Sequence, residues 1–161
     1  MSGIYLIFSG ARSFRGGGIG SAVPILLREV WGRSGDISHI FMSDIKLIDA
    51  KINREELKRL IDEGFKDMVK YTVDVKQRRI AIGGELHADG EQLLLENGSE
   101  QKDIWGANYY AGKGEFGCIE YTSLINIRPS QGNNSMEITR EDLREKIQEI
   151  TFKLIGRGEN L

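Results

Sequence analysis

The feature that most constrains the fold is a change of composition at Met42. Residues 1–41 contain 8 of the chain's 20 glycines, no lysine and only two acidic residues. Residues 42–161 contain 18 basic and 22 acidic residues, which gives this segment a formal charge of −4, against −2 for all 161 residues. Regular hydrophobic spacing begins only after Met42. We therefore expect one domain at 42–161, preceded by an extension at 1–41 that is disordered or precedes the true start.

Two other interpretations of residues 1–41 are open. The glycines at 16–20 follow a short apolar run, as in a phosphate-binding loop, but Val23 stands where GxGxxG needs its third glycine. Three arginines before the first acidic residue are typical of an organellar targeting segment, although the glycines interrupt any amphipathic helix there. The apolar run at 4–8 has no basic residue before it, which argues against a secretory signal.

Hydrophobic periodicity in residues 42–161 predicts an α+β domain. Helical spacing, with N-caps at Asn53 and Thr139, predicts two main helices, and a shorter helix is expected at 89–96. Alternating apolar residues predict strands at 45–48, 69–75, 80–88, 103–110 and 118–128. The order (β)αββ(α)ββα indicates an antiparallel sheet of four to five strands flanked by the two main helices.

Composition excludes several classes of protein. The single cysteine, Cys118, excludes a disulfide framework and a cysteine-based zinc site, and it is typical of a reducing, cytoplasmic compartment. No apolar run approaches the roughly 18 residues that a membrane helix needs. The near-neutral charge argues against a dedicated nucleic-acid-binding protein. No motif predicts a cofactor.

If the helices cover the apolar face of the sheet, the other face carries polar side chains from three strands. Glu85, His87 and Asp89 alternate on one of these strands. The other two contribute Asn108 and Tyr110, and Glu120, Asn126 and Arg128. We predict His87 as the general acid or base, Glu85 as its partner and Arg128 as the contact to an anionic substrate. The predicted binding residues are Asn108, Tyr110, Asn126 and Trp105.

Simpler explanations exist for each of these residues. Arg128 can form a cross-strand ion pair with Glu120 or Glu85, and Trp105 can belong to the core. Alternate residues on a strand are about 6.5–7 Å apart, so three consecutive ones rarely reach one metal ion, and we predict no metal site at 85–89. The sequence thus favours a small hydrolase or nuclease-like enzyme acting on an anionic substrate. The alternative is a non-enzymatic module that binds a ligand or a partner, for instance a second copy through a sheet edge.

Four motifs follow one another in this domain: 82–89 (IGGELHAD), 93–99 (LLLENGS), 103–110 (DIWGANYY) and 125–133 (INIRPSQGN). As a set they resemble a small uncharacterised prokaryotic family, a domain of unknown function. The resemblance extends from about residue 42 to the final helix and omits residues 1–41. It implies that the polar residues of these motifs belong to the family pattern, and it implies no activity.

Overall fold

The computed structural model describes residues 44–161, which form a five-stranded antiparallel sheet and three α-helices. The strands are β1 (Ile45–Ile48), β2 (Val69–Asp74), β3 (Arg79–Gly83), β4 (Ile104–Tyr109) and β5 (Ile119–Glu120). The helices are α1 (Arg54–Glu63), α2 (His87–Glu96) and α3 (Glu141–Leu154). The predicted α+β class and element order are confirmed. The predictions for residues 1–41 lie outside the described residues.

The main core lies between one face of the sheet and helices α1 and α3. The strands are arranged in the order β1-β3-β2-β4-β5, and alternation along them turns one set of side chains toward both helices. The core residues of β2, β3 and α3 include Tyr71, Val73, Ile80, Ile82, Leu143, Ile147, Ile150 and Leu154. Within residues 44–161, no helix has both the length and the apolar character needed to cross a membrane.

The two predicted helix caps have different outcomes. Asn53 is the N-cap of α1, as predicted, because its side chain accepts a hydrogen bond of 2.7 Å from the backbone N–H of Glu56. Thr139 is not the N-cap of α3, which begins at Glu141 without a side-chain cap. The hydroxyl and the backbone N–H of Thr139 instead donate to the side chain of Asn133. These bonds stabilise the loop that precedes α3.

Helix α2 covers the face of the sheet that the sequence had led us to expect in solvent. A Cβ on Gly90 would lie 2.6 Å from Thr72 Oγ1, so α2 approaches β2 as closely as it does only because this residue is glycine. Farther along α2, Leu94 packs with Ala81 and Ile104 in a second, smaller core. The prediction of an open polar face is therefore wrong, because a third helix packs there.

The predicted strand at 80–88 ends at Gly83, and Glu85, His87 and Asp89 do not share a strand. Gly83 and Gly84 have φ values of +104° and +80°, which turn the chain out of the sheet. A Cβ at Gly83 would collide with the backbone carbonyl of Asp44, so close packing against β1 requires glycine here. Helix α2 then begins at His87, earlier than the predicted start at residue 89.

The predicted strand at 118–128 is also shorter than expected, since β5 contains only Ile119–Glu120. Beyond it, the side chain of Asn126 takes the place of a strand residue beside β4. Its Oδ1 accepts from the Gly106 N–H at 2.8 Å, and its Nδ2 donates to the Gly106 carbonyl at 2.9 Å. A side-chain amide therefore completes the edge of the sheet that a continuing β5 would have paired.

Candidate functional site

A row of polar side chains crosses the sheet under the first turn of α2. In the strand register Lys70 of β2 lies opposite Asn108 of β4, and Asn108 lies opposite Glu120 of β5. Because partners in register point to the same face, all three belong to the face that α2 covers. Asn108 Nδ2 donates to Glu120 Oε2 at 2.8 Å, and the hydroxyl of Tyr110 donates to the same oxygen at 3.1 Å.

His87, the first residue of α2, is half-buried beside this row. Its Nε2 lies 2.9 Å from the backbone carbonyl oxygen of Ala107. Since a carbonyl only accepts, Nε2 carries a proton, and the neutral imidazole keeps its free lone pair on Nδ1. The Ala107 carbonyl therefore selects the tautomer in which Nδ1 is the basic atom.

The surroundings of His87 favour its neutral form. Burial lowers the pKa of His87 below its ordinary value of 6.5, and the positive charge of Lys70 acts in the same direction. The hydrogen bond to Ala107, the Asn108 side chain and the charge of Glu120 oppose this shift without reversing it. At neutral pH the site thus holds an uncharged base next to a cation and a carboxylate.

Asn108 is the most buried member of this cluster and has one unsatisfied atom. Its side chain is 7% exposed, and its Oδ1 is buried without a hydrogen-bond partner among the described residues. Leaving a buried acceptor unpaired costs about 1–3 kcal/mol, so such atoms mark places where a further donor fits. A water molecule or a protonated ligand group could supply that donor here.

Glu85 contributes its backbone rather than its carboxylate. Its side chain is exposed, and its carbonyl accepts a hydrogen bond of 2.8 Å from Lys70 Nζ. Lys70, Glu85 and Leu86 line a cavity of about 300 Å³ next to the polar row. Among the described residues, the Glu85 carboxylate therefore forms no hydrogen bond or ion pair with His87, and Lys70 connects the cavity to the cluster.

Arg128 contacts α2 at Glu91, one turn after His87, and its guanidinium is engaged within the fold. Its guanidinium forms an ion pair of 2.9 Å with Glu91 and donates to the carbonyls of Ile125 and Gln101. It also stands 5.2 Å from the ring centre of Trp105. Burial lowers the pKa of Arg128, and the charge of Glu91 counteracts this. These contacts hold the loop after β5 against α2 and leave the guanidinium little capacity for a ligand.

Asn126 and Trp105, two of the predicted binding residues, are inside the protein. Asn126 is fully buried, and besides its bonds to Gly106 its Nδ2 donates to the Met136 carbonyl at 3.1 Å. Trp105 is 2% exposed and packs in the main core. Neither side chain can contact a ligand without a rearrangement of the fold.

Two participants were missed by sequence reasoning. Lys70 occupies a polar position of the predicted strand 69–75, and strand pairing with 103–110 would have placed it next to Asn108. Glu91 gave no signal, because its role depends on how α2 packs against the loop that carries Arg128. Among residues 44–161, no group of three or more His, Cys, Asp or Glu side chains is arranged to hold a metal ion.

Comparison with known proteins gives one match. The sequence model of a family described as "Protein of unknown function (DUF5674)" matches residues 46–154. This range includes every member of the polar cluster and every residue that lines the cavity except Asp44. No curated protein and no solved structure matches the chain.

Proposed function

The chain belongs to the DUF5674 family of proteins of unknown function, and we propose that it is a small hydrolase that uses His87 as general base on an anionic substrate. The observation that carries the proposal is the bond between His87 Nε2 and the Ala107 carbonyl. A base whose tautomer is fixed by the backbone, beside a lysine and a carboxylate, supports the proposal because these groups can transfer a proton and bind an anion.

Each group of the cluster has a role in this proposal. Lys70 holds the anionic group of the substrate, and the unpaired Oδ1 of Asn108 accepts a hydrogen bond from the attacking water. His87 Nδ1 takes a proton from that water while its oxygen bonds to the scissile centre. The bond between the scissile centre and the leaving-group oxygen then breaks, and the imidazolium gives its proton to that oxygen. Glu120, held by Asn108 and Tyr110, stabilises the imidazolium while it is charged.

Hydrolysis of three chromogenic esters tests the proposal: p-nitrophenyl phosphate, bis(p-nitrophenyl) phosphate and p-nitrophenyl acetate. We expect the unaltered chain to hydrolyse at least one anionic ester, and His87→Gln to reduce kcat by about 10²–10⁴-fold, the usual contribution of a general base. His39→Gln is the matched control, since His39 is the chain's other histidine and lies outside the residues that the family matches. It should leave kcat unchanged.

Two outcomes would overturn the hydrolase. One is the absence of turnover of both phosphate esters by the unaltered chain, whether or not the neutral acetate is hydrolysed, and the other is unchanged kcat in His87→Gln. Folding of the variant is checked by urea denaturation. Replacing a catalytic group usually preserves or increases stability, so a retained free energy of unfolding is expected.

The second candidate is a non-enzymatic module that binds a small anionic ligand. The pairing of Asn108, Tyr110 and Glu120 favours it, because a network that serves only to shape a binding surface is satisfied in the same way. In that case Glu120→Gln and His87→Gln both lower the free energy of unfolding, and no ester is turned over. If the protein is a hydrolase, His87→Gln instead loses turnover and retains its free energy of unfolding.

We infer the compartment and the partners of the protein from its cysteine and its charge. The buried, unpaired Cys118 suits a reducing cytoplasm. A small anionic ligand remains the expected partner, whereas the overall charge of −2 still disfavours nucleic acid. A second copy of the chain, joined through a sheet edge, is the macromolecular partner we would test first, by light scattering at several protein concentrations.

A further inference from the structure

The cavity beside the polar row has apolar walls that reach the surface. It lies between the chain that follows α1 and the β3–α2 loop, and its volume is about 300 Å³. Leu60 and Val69 are buried along it, whereas Phe65 and Leu86 are 40% and 59% exposed. Two large apolar side chains are thus exposed at the same concave place, which is typical of a surface that a ligand covers.

Lys70 is a cation that lines this cavity. Its ammonium group has no carboxylate partner among the described residues. The cavity also includes the acidic residues Asp44 and Glu63, but both form ion pairs with Arg59, at 2.6 and 2.7 Å. Lys70 Nζ instead donates to the neutral carbonyl of Glu85 and stands 4.6 Å from the ring centre of Phe65. A ligand anion can replace the carbonyl as its partner, because a charged acceptor binds an ammonium more strongly than a neutral one does.

The glycines of the β3–α2 loop shape the remaining wall. Gly83 and Gly84 line the cavity with backbone atoms alone, because Asp44 and Ile45 fill the space that their side chains would need. The exposed carboxylate of Glu85 is the remaining negative charge at this wall, and solvent screens it. The cavity therefore combines an apolar compartment with one accessible ammonium group.

We propose that this cavity binds an amphipathic small anion, an aromatic or aliphatic group that carries one phosphate or carboxylate. Lys70 pairs with the anionic group, and Phe65 and Leu86 cover the apolar part. Because Lys70 is the direct neighbour of Asn108 across the sheet, the anion lies beside the His87 cluster. The inference deepens the proposed hydrolase by naming its substrate class, and it rests on that proposal only for the claim that the bound molecule is turned over.

Calorimetric titration of the full chain with phenyl phosphate, benzoate, inorganic phosphate and phenol tests the proposal. We expect phenyl phosphate or benzoate to bind with a Kd at least tenfold lower than that of inorganic phosphate or phenol. The aromatic anion that binds better identifies the preferred head group. Lys70→Met should raise its Kd at least tenfold, and Leu86→Ser, which alters an exposed side chain and spares the fold, should raise it at least threefold. Lys102→Met, an exposed lysine paired with Glu100, is the matched control and should bind as the unaltered chain does.

The proposal would be overturned if neither phenyl phosphate nor benzoate binds more tightly than inorganic phosphate and phenol, or if binding is unchanged in both Lys70→Met and Leu86→Ser. His87→Gln separates this proposal from the hydrolase, because it should bind the aromatic anion as the unaltered chain does. If His87→Gln retains both binding and turnover, the hydrolase fails and the binding site stands. If the esters are hydrolysed through His87 but no aromatic anion binds, the cavity proposal fails alone.

Discussion

Replacing Arg128 distinguishes a structural arginine from a substrate-binding one. The substitution is Arg128→Met, which keeps much of the aliphatic volume and removes the guanidinium. Arg128 is 10% exposed and its partner Glu91 is 14% exposed, so the substitution leaves a carboxylate that is largely out of water and without its cation. Two hydrogen bonds to the Ile125 and Gln101 carbonyls disappear as well.

The size of the effect follows from this burial. Removing one partner of a buried ion pair costs about 3–5 kcal/mol, because the other charge is left uncompensated. Both side chains keep some exposure, so we expect a loss of about 3 kcal/mol. Arg140→Met is the matched control. Its ion pair with Asp142 is exposed, at 48% and 56%, so solvent screens it and its loss should hardly change the free energy of unfolding.

Urea denaturation followed by circular dichroism measures both variants. The double variant Arg128→Met with Glu91→Leu should recover part of the loss, since it removes the orphaned carboxylate as well. An Arg128→Met chain that loses less than about 1 kcal/mol while its ester turnover or its affinity for phenyl phosphate falls tenfold would refute the reasoning. Arg128 would then be the anion contact that the sequence predicted.

Three further predictions concern single positions. Asn126→Ala should lower the free energy of unfolding by about 2–4 kcal/mol in urea, because it leaves both backbone groups of Gly106 unpaired; a loss below about 1 kcal/mol would contradict this. Gly90→Ala should cost about 1–3 kcal/mol by the same assay, since the added Cβ meets Thr72, and a neutral effect would mean that α2 can move away. The lowered pKa of His87, set by burial and by Lys70 against Glu120, means that the unfolded chain binds more protons below about pH 6.5. Stability should therefore fall as the pH decreases from about 6.5 through the folded pKa, and His87→Gln should show a shallower fall below about pH 6.5. Identical pH dependence in the two chains would contradict this prediction.

Periodicity and capping predicted most of the fold. The hairpin of β2 and β3 was evident because alternation on both strands reflects burial on the α1 and α3 face. The start of α1 was evident because Asn53 is a local cap whose partner is three residues away. These signals are reliable because each depends on neighbours in the sequence rather than on distant contacts.

The start of α2 could not be predicted in the same way. Residues 80–88 alternate apolar and polar side chains, so the pattern of a strand continues past the point where the strand ends. The deciding contacts are between the Gly83–Gly84 turn and the chain at Asp44 and Ile45, more than thirty residues away. The prediction had placed His87 on a strand, on the polar face of the sheet. Because α2 packs on that same face, His87 still lies beside Asn108.

The roles of Asn126 and Arg128 were beyond sequence patterns for another reason. Alternation shows which face a side chain occupies but not whether its polar atoms bind the backbone. Asn126 binds Gly106 in place of a strand, and Arg128 binds two carbonyls and Glu91. Both residues belong to polar motifs, yet their hydrogen bonds are already used within the fold.

The central claim is that His87 is a neutral base with its proton on Nε2. Nitrogen-15 NMR of the imidazole rings, with His87→Gln to assign the signals, measures both the tautomer and the pKa. We predict a pKa of His87 below 6.5 and, at neutral pH, an Nε2–H tautomer whose proton is bonded to the Ala107 carbonyl. A protonated ring at neutral pH, or a proton on Nδ1, would contradict the account.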